Sequence, residues 1–158
     1  MSTSALILPE AFFGYFELEM YDEAWAELAA LPPQDQAHPG VAAAQLEIHL
    51  ARQAWRKGVE LAEKMGRLYP DFDSFFLHGA FCLHELKQTA AAKKKLLEGP
   101  PSLREQAVFH YNLACYHAQL GELTEAQAAL QECFARDHHF RAEAKLDPDL
   151  EPLRQMKK

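Results

Sequence analysis

The sequence predicts an all-α solenoid, one domain of helix-turn-helix units stacked side by side. Three observations carry this. Small residues recur every 34 positions, at Ala24, Gly58, Ala92 and Ala126. Three further rows keep the same register: Phe12, Leu46, Ala80 and Ala114; Leu28, Ala62, Leu96 and Leu130; and the mostly bulky Tyr21, Trp55, Thr89 and Leu123. Within a unit, Leu123, Ala126, Leu130 and Cys133 stand at i, i+3, i+7 and i+10, one stripe of a helix. Self-similarity at a fixed period of this length marks repeats that bury their apolar faces by stacking on one another.

The units follow in order. The first, residues 5–38, carries Tyr15, Tyr21, Asp22-Glu23-Ala24 and Leu28, and closes early at Leu31-Pro32-Pro33. A loop from Gln34 to Gly40 is expected after that stop. The second, 39–70, carries Leu46, Trp55, Gly58 and Ala62, with Tyr69-Pro70 ending its second helix. The third, 71–104, carries Gly79-Ala80, His84-Glu85-Leu86, Ala92 and Leu96-Leu97. Its second helix includes Lys93-Lys94-Lys95 and is stopped by Gly99-Pro100-Pro101. The fourth, 105–138, is the most regular. Tyr111-Asn112-Leu113-Ala114-Cys115-Tyr116 opens its first helix, Leu120-Gly121-Glu122 makes the turn, and Thr124 to Leu130 continues as the second helix. Gly121 suits a helix end because it takes φ > 0 without steric cost. Gln53 and Lys87 occupy the same turn position in units two and three, so those turns are expected to be built differently. Residues 139–158 read as a cap and tail: a short helix over Phe140 to Leu146, a turn, and a second helix from Pro148. Leu146, Leu150 and Leu153 are expected on its inner side.

These residues resemble the tetratricopeptide repeat (TPR). Asn112-Leu113-Ala114, Leu120-Gly121, Glu125-Ala126 and Leu130 carry the likeness best, and the first unit matches least. The likeness runs over roughly residues 8 to 138. It implies a right-handed superhelical solenoid of four TPR-like units plus a short C-terminal capping helix. The first helix of each unit would line a concave groove and the second the convex face. The groove positions it implies are Phe13, Phe16 and Glu17 in the first unit and Ala43, Glu47 and Leu50 in the second. The third supplies Leu77, Phe81, His84 and Glu85, and the fourth Tyr111, Cys115 and Gln119. Such a groove is aromatic and aliphatic, with three carboxylates and no lysine or arginine. Members that hold acidic chaperone tails need groove cations and amides, which are missing. A helical or extended partner segment with apolar and basic residues fits better. Phe13 and Phe16 also read as core, packed under Leu6, Ile7 and Leu8 folded over from residues 1–8, and Phe81 and Tyr111 divide evenly between core and groove.

Composition removes several function classes. The chain has 158 residues and a net charge of −7, with no stretch approaching the roughly 18 apolar residues of a membrane span. Its start lacks the basic segment of a secretory signal. Cys82, Cys115 and Cys133 show neither metal-type spacing nor a disulfide framework. A cytoplasmic location is therefore expected. Residues 1–51 carry eight acids and no lysine or arginine, whereas residues 52–104 carry ten basic and six acidic side chains. Nucleic-acid binding is disfavoured by the overall acidity, and Lys93-Lys94-Lys95 reads as a solvated patch. No phosphate loop, nucleophile elbow or zinc-protease motif is present. His78 and Cys82 have an i, i+4 spacing that can chelate zinc, yet no four-ligand set converges with them. His49 and His117 read as core, and His138-His139 closes the last helix of the repeats. The expectation is a non-catalytic protein-interaction scaffold or adaptor with no metal or cofactor, open also to homodimerisation. The alternative is a small chaperone of secreted substrates, as in type III secretion.

Overall fold

A computed structural model describes residues 6–156. Residues 1–5, part of the segment expected to fold over Phe13 and Phe16, lie outside the described residues. Among those described, the chain is all-α. Helices α1 (Glu10–Glu17) and α2 (Tyr21–Ala29) form a first hairpin, followed by a single-turn helix α3 (Pro33–Gln36). Then come α4 (Pro39–Ala51) with α5 (Trp55–Leu68), α6 (Asp73–Glu85) with α7 (Thr89–Leu97), and α8 (Ala107–Gln119) with α9 (Leu123–Arg136). A 3₁₀ turn (Pro101–Glu105) separates α7 from α8. The chain ends in α10 (Phe140–Leu146), a 3₁₀ turn (Pro148–Leu150) and α11 (Glu151–Gln155).

The four sequence rows have physical counterparts. Ala24, Ala92 and Ala126 are completely buried, and so are Leu46, Ala80 and Ala114. Small size is needed where helices approach closely. A Cβ on Gly58 would lie 2.6 Å from Cys82 Sγ, and one on Gly79 would lie 2.8 Å from the Ala62 methyl, both across the α5–α6 contact. Tyr21, Trp55, Thr89 and Leu123 are each the first residue of a second helix.

The hairpin turns correct one expectation. Glu19, Gln53, Lys87 and Gly121, 34 residues apart, have φ of 58°, 57°, 65° and 79°. All four turns are therefore left-handed and alike. In each, the next residue's amide donates back five positions: Met20 to Tyr15, Ala54 to His49, Gln88 to Leu83 and Glu122 to His117, at 2.8–2.9 Å. This bond is the Schellman closure of a helix end, which satisfies carbonyls that have lost their helical donors. Glu, Gln and Lys lack β-branching, so their side chains tolerate the left-handed backbone at a modest steric cost.

Two further expectations change. The segment expected as a loop after Pro33 is α3, and the Gln36 side-chain amide donates to the Leu28, Ala29 and Leu31 carbonyls, capping the end of α2. Leu146 is 83% exposed; the register of α10 instead turns Ala144 inward, while Leu150 and Leu153 are buried as expected.

The buried side chains form two clusters. A small one joins Phe12, Ala24 and Leu28 to Val41, Ala44 and Ile48 of α4. The main one runs from Ala42 and Leu46 of the same helix to Leu153 in α11. No helix among the described residues is long and apolar enough to cross a membrane.

Candidate functional site

The residues implied for the groove fall into three environments. At the N-terminal end, α1 and α4 frame a cleft of about 270 Å³. Leu8, Phe12, Phe13 and Phe16 line one wall, and Gly40, Ala43, Ala44 and Glu47 the other. The structure thus brings together Phe13, Phe16, Ala43 and Glu47. Phe12 is buried and meets Phe13 edge-on at 5.3 Å, which props the Phe13 ring outward, 51% exposed. Gly40 and Ala44 were absent from the sequence-derived set; their spacing one helical turn apart, with Ala43 beside them, is the small-residue signal that opens this wall. Glu47 is the one charged group in the lining, and its carboxylate lies 3.5 Å from His78 Nε2. Glu17 is exposed on α1.

In the middle, Leu50 is half-buried and packs on the main core. Phe81 is also half-buried, and its ring meets Trp55 edge-on at 5.8 Å, so it leans on α5. Leu77 is buried and borders a polar hollow of about 440 Å³. There the Asp73 carboxylate accepts from Ser102 at 2.7 Å and Gln106 at 2.6 Å. Burial holds the His78 imidazole below its usual pKa, partly opposed by Glu47. Glu85 is exposed.

At the C-terminal end the chain covers its own surface. The Tyr111 hydroxyl donates to Asp147 Oδ2 at 2.7 Å, and Cys115 Sγ approaches the same oxygen at 3.8 Å. His84 Nε2 lies 2.8 Å from Asp149 Oδ2, with its Nδ1 2.9 Å from the Thr89 hydroxyl. The Gln119 amide donates to the Asp149 carbonyl. Tyr111, Cys115 and His84 are consequently buried, and Asp147 and Asp149 occupy the place where the resemblance implied open groove. The cause lies in the cap. Burying Leu150 and Leu153 over the last hairpin carries the preceding turn across α8 to α6, where its two carboxylates meet the polar tips of buried side chains.

The cysteines and several histidines at these positions are engaged in packing and internal contacts. Burial raises the Cys82 and Cys133 thiols to about 11 and pushes Cys115 still higher, so the cysteines stay protonated and poorly nucleophilic. His78 and Cys82 do not converge: Cys82 Sγ faces Gly58 on α5, whereas His78 faces Glu47 on α4. Among the described residues, ligand atoms come within 4.8 Å of one another in Cys115, Asp147 and Asp149, and in Asp137, His138 and His139. Both groups are already engaged in internal hydrogen bonds. His49 packs on Trp25 at 5.3 Å, its pKa lowered chiefly by burial and then by Lys57 and Arg52.

No family model matches the sequence, and a search of curated proteins finds no match. A solved structure described as MamA MSR-1 C2 superposes with a TM-score of 0.63 at 17% identity, covering 81% of this chain and 74% of that one. At that identity the likeness shows the fold alone: the chain is an all-α, TPR-like solenoid.

Proposed function

We propose that this chain is a non-catalytic adaptor whose working surface is the cleft between α1 and α4. It would bind a segment of a partner protein bearing apolar residues beside a basic one. The exposed Phe13 ring over an apolar cleft carries this reading. Glu47 at the edge, and the absence of any lysine or arginine from residues 1–51, supply the preference for a basic neighbour. Phe16 and Ala43 stand on its two walls, while Glu17, Leu50, Phe81 and Glu85 would extend the surface toward the middle of the solenoid. No cofactor enters this role, and a cytoplasmic location accords with it.

The test is binding to an array of labelled peptides, apolar-basic, apolar-acidic and apolar-neutral, read by fluorescence anisotropy. Phe13→Glu is expected to weaken the apolar-basic class by about 10-fold or more, as for a central aromatic anchor. Glu47→Lys is expected to erase the preference for basic over acidic peptides. Undiminished binding by both folded variants would refute the assignment. Tyr111→Glu is unsuitable here, because it disrupts the cap contact with Asp147.

A further inference from the structure

The two ends of the solenoid expose apolar surfaces edged with opposite charge. At the C-terminal end a cleft of about 300 Å³ opens between α9 and the cap helices. Leu130, Phe134 and Leu153 contribute to its apolar lining. Arg141, Lys145 and Arg154 also line it, and no carboxylate does. Arg154 is engaged with the Ala144 and Asp147 carbonyls and with Glu151. The Arg141 guanidinium lies over the Phe134 ring, 4.7 Å from its centre. The nearby acids Asp147 and Asp149 are turned the other way, onto α8 and α6.

At the N-terminal end, Ile7 is 88% and Leu18 71% exposed. Ala11 and Gly14 on α1, with Leu18 just past its end, stand at i, i+3 and i+7, one face of the helix, and Ile7 precedes the helix ahead of Pro9. Among the described residues, a Cβ placed on Gly14 would meet nothing within 4 Å, so this face lies open at Gly14. Glu10 and Glu17 run along its edge, and the first 51 residues hold eight acids and no cation among lysine and arginine.

We infer that these ends bind one another between copies: the outer face of α1 in one copy lies in the C-terminal cleft of the next. Ala11 and Leu18 meet the apolar lining, and Glu10 and Glu17 face Arg141 and Lys145. Because two different faces are used, each dimer keeps one of each free, and association extends into linear arrays instead of closing as a symmetric pair. One helix in one cleft sits at the small end of interface sizes, which makes the association weak and dependent on concentration. Its charges make it sensitive to salt. The apolar face of α1 used here is distinct from that bearing Phe13 and Phe16, with Glu10 and Glu17 along the border between the two.

Sedimentation velocity on the full chain tests this over a concentration series at low and high salt. The mean sedimentation coefficient is expected to rise with concentration and fall with salt. Leu18→Glu breaks the head and Lys145→Glu weakens the tail, so each alone is expected to remain largely monomeric, with circular dichroism confirming its fold. Mixed together, they retain one intact head and one intact tail and are expected to form 1:1 dimers that grow no further. Phe13→Glu is expected to leave assembly unchanged while weakening peptide binding, which separates this inference from the groove assignment. A wild type that stays monomeric throughout would overturn it. So would a dimer indifferent to both variants, or a mixture that stays monomeric while the wild type assembles.

Discussion

Replacing Lys87 by glycine is expected to stabilise the protein, although it removes a side chain and adds none. Lys87 closes the third hairpin at φ 65°, in the left-handed region, and is exposed. Holding a residue with a Cβ there costs about 1–2 kcal/mol, a cost glycine escapes. Against this, glycine's greater freedom in the unfolded chain returns about 0.5–1 kcal/mol. The net gain is about 0.5–1 kcal/mol, and the same reasoning applies to Gln53 at φ 57° and Glu19 at φ 58°. Each substitution relieves the backbone of its own turn, so the gains in a triple variant are expected to add to about 1.5–3 kcal/mol. The reverse control is Gly121→Ala. Its Cβ would meet nothing within 4 Å, so any loss of stability, about 1 kcal/mol, reports the backbone conformation at φ 79° alone. Urea unfolding is the assay, each substitution moving the midpoint of the transition that unfolds its own hairpin at unchanged slope. An unchanged or lowered midpoint for Lys87→Gly and Gln53→Gly, or a raised one for Gly121→Ala, would refute the account of the turns.

Two glycines on other helices are expected to respond in opposite directions. Gly79→Ala places a methyl 2.8 Å from that of Ala62 and is expected to lower stability by about 1 kcal/mol, overpacking outweighing the gain in helix propensity. Gly14→Ala meets open space and is expected to gain about 0.5–1 kcal/mol; thermal melts that rise for both would show the α5–α6 contact to be looser than described. Stability is also expected to fall as the solution is acidified. Burial lowers the folded-state pKa of His49 and His78 below 6.5, so their contribution is present above 6.5 and is lost as pH drops from there through the folded value. Urea midpoints across that window are expected to decline in the wild type and to flatten in a His49→Gln, His78→Gln double variant; an equal slope in both would remove these histidines from the cause.

The sequence period made the fold legible because it reports nearest-neighbour packing, which recurs identically in each unit. Ala24, Ala92, Ala126 and Ala80 are small for one reason, and that reason repeats. The turns were misjudged at Gln53 and Lys87 because glycine there is a preference of the left-handed backbone and no requirement. The candidate site was less legible. Phe13, Phe16, Ala43 and Glu47 meet in one cleft because adjacent first helices place them there. By contrast, His84 and Asp149 are 65 residues apart and Tyr111 and Asp147 are 36 apart. Neither pair belongs to the repeat, so periodicity carried no information about the turn that covers that end. Phe81 leans on Trp55 for a related reason: an aromatic at a groove position also lies within reach of the helix behind it.

Helix α4 belongs to both apolar clusters, giving Val41, Ala44 and Ile48 to the small one and Ala42 and Leu46 to the large. The consequence is a fault line. The α1–α2 hairpin is held by a much smaller buried cluster than the rest, so it can peel away while α4 remains seated on α5 and α6. Melting then proceeds in two steps, the N-terminal hairpin first, in the manner of repeat arrays with one weak link. A partner gripping Phe13 on one wall and Ala43 on the other would span that line. Its binding energy would raise the first transition and leave the second in place, until the two merge and the solenoid melts as one body.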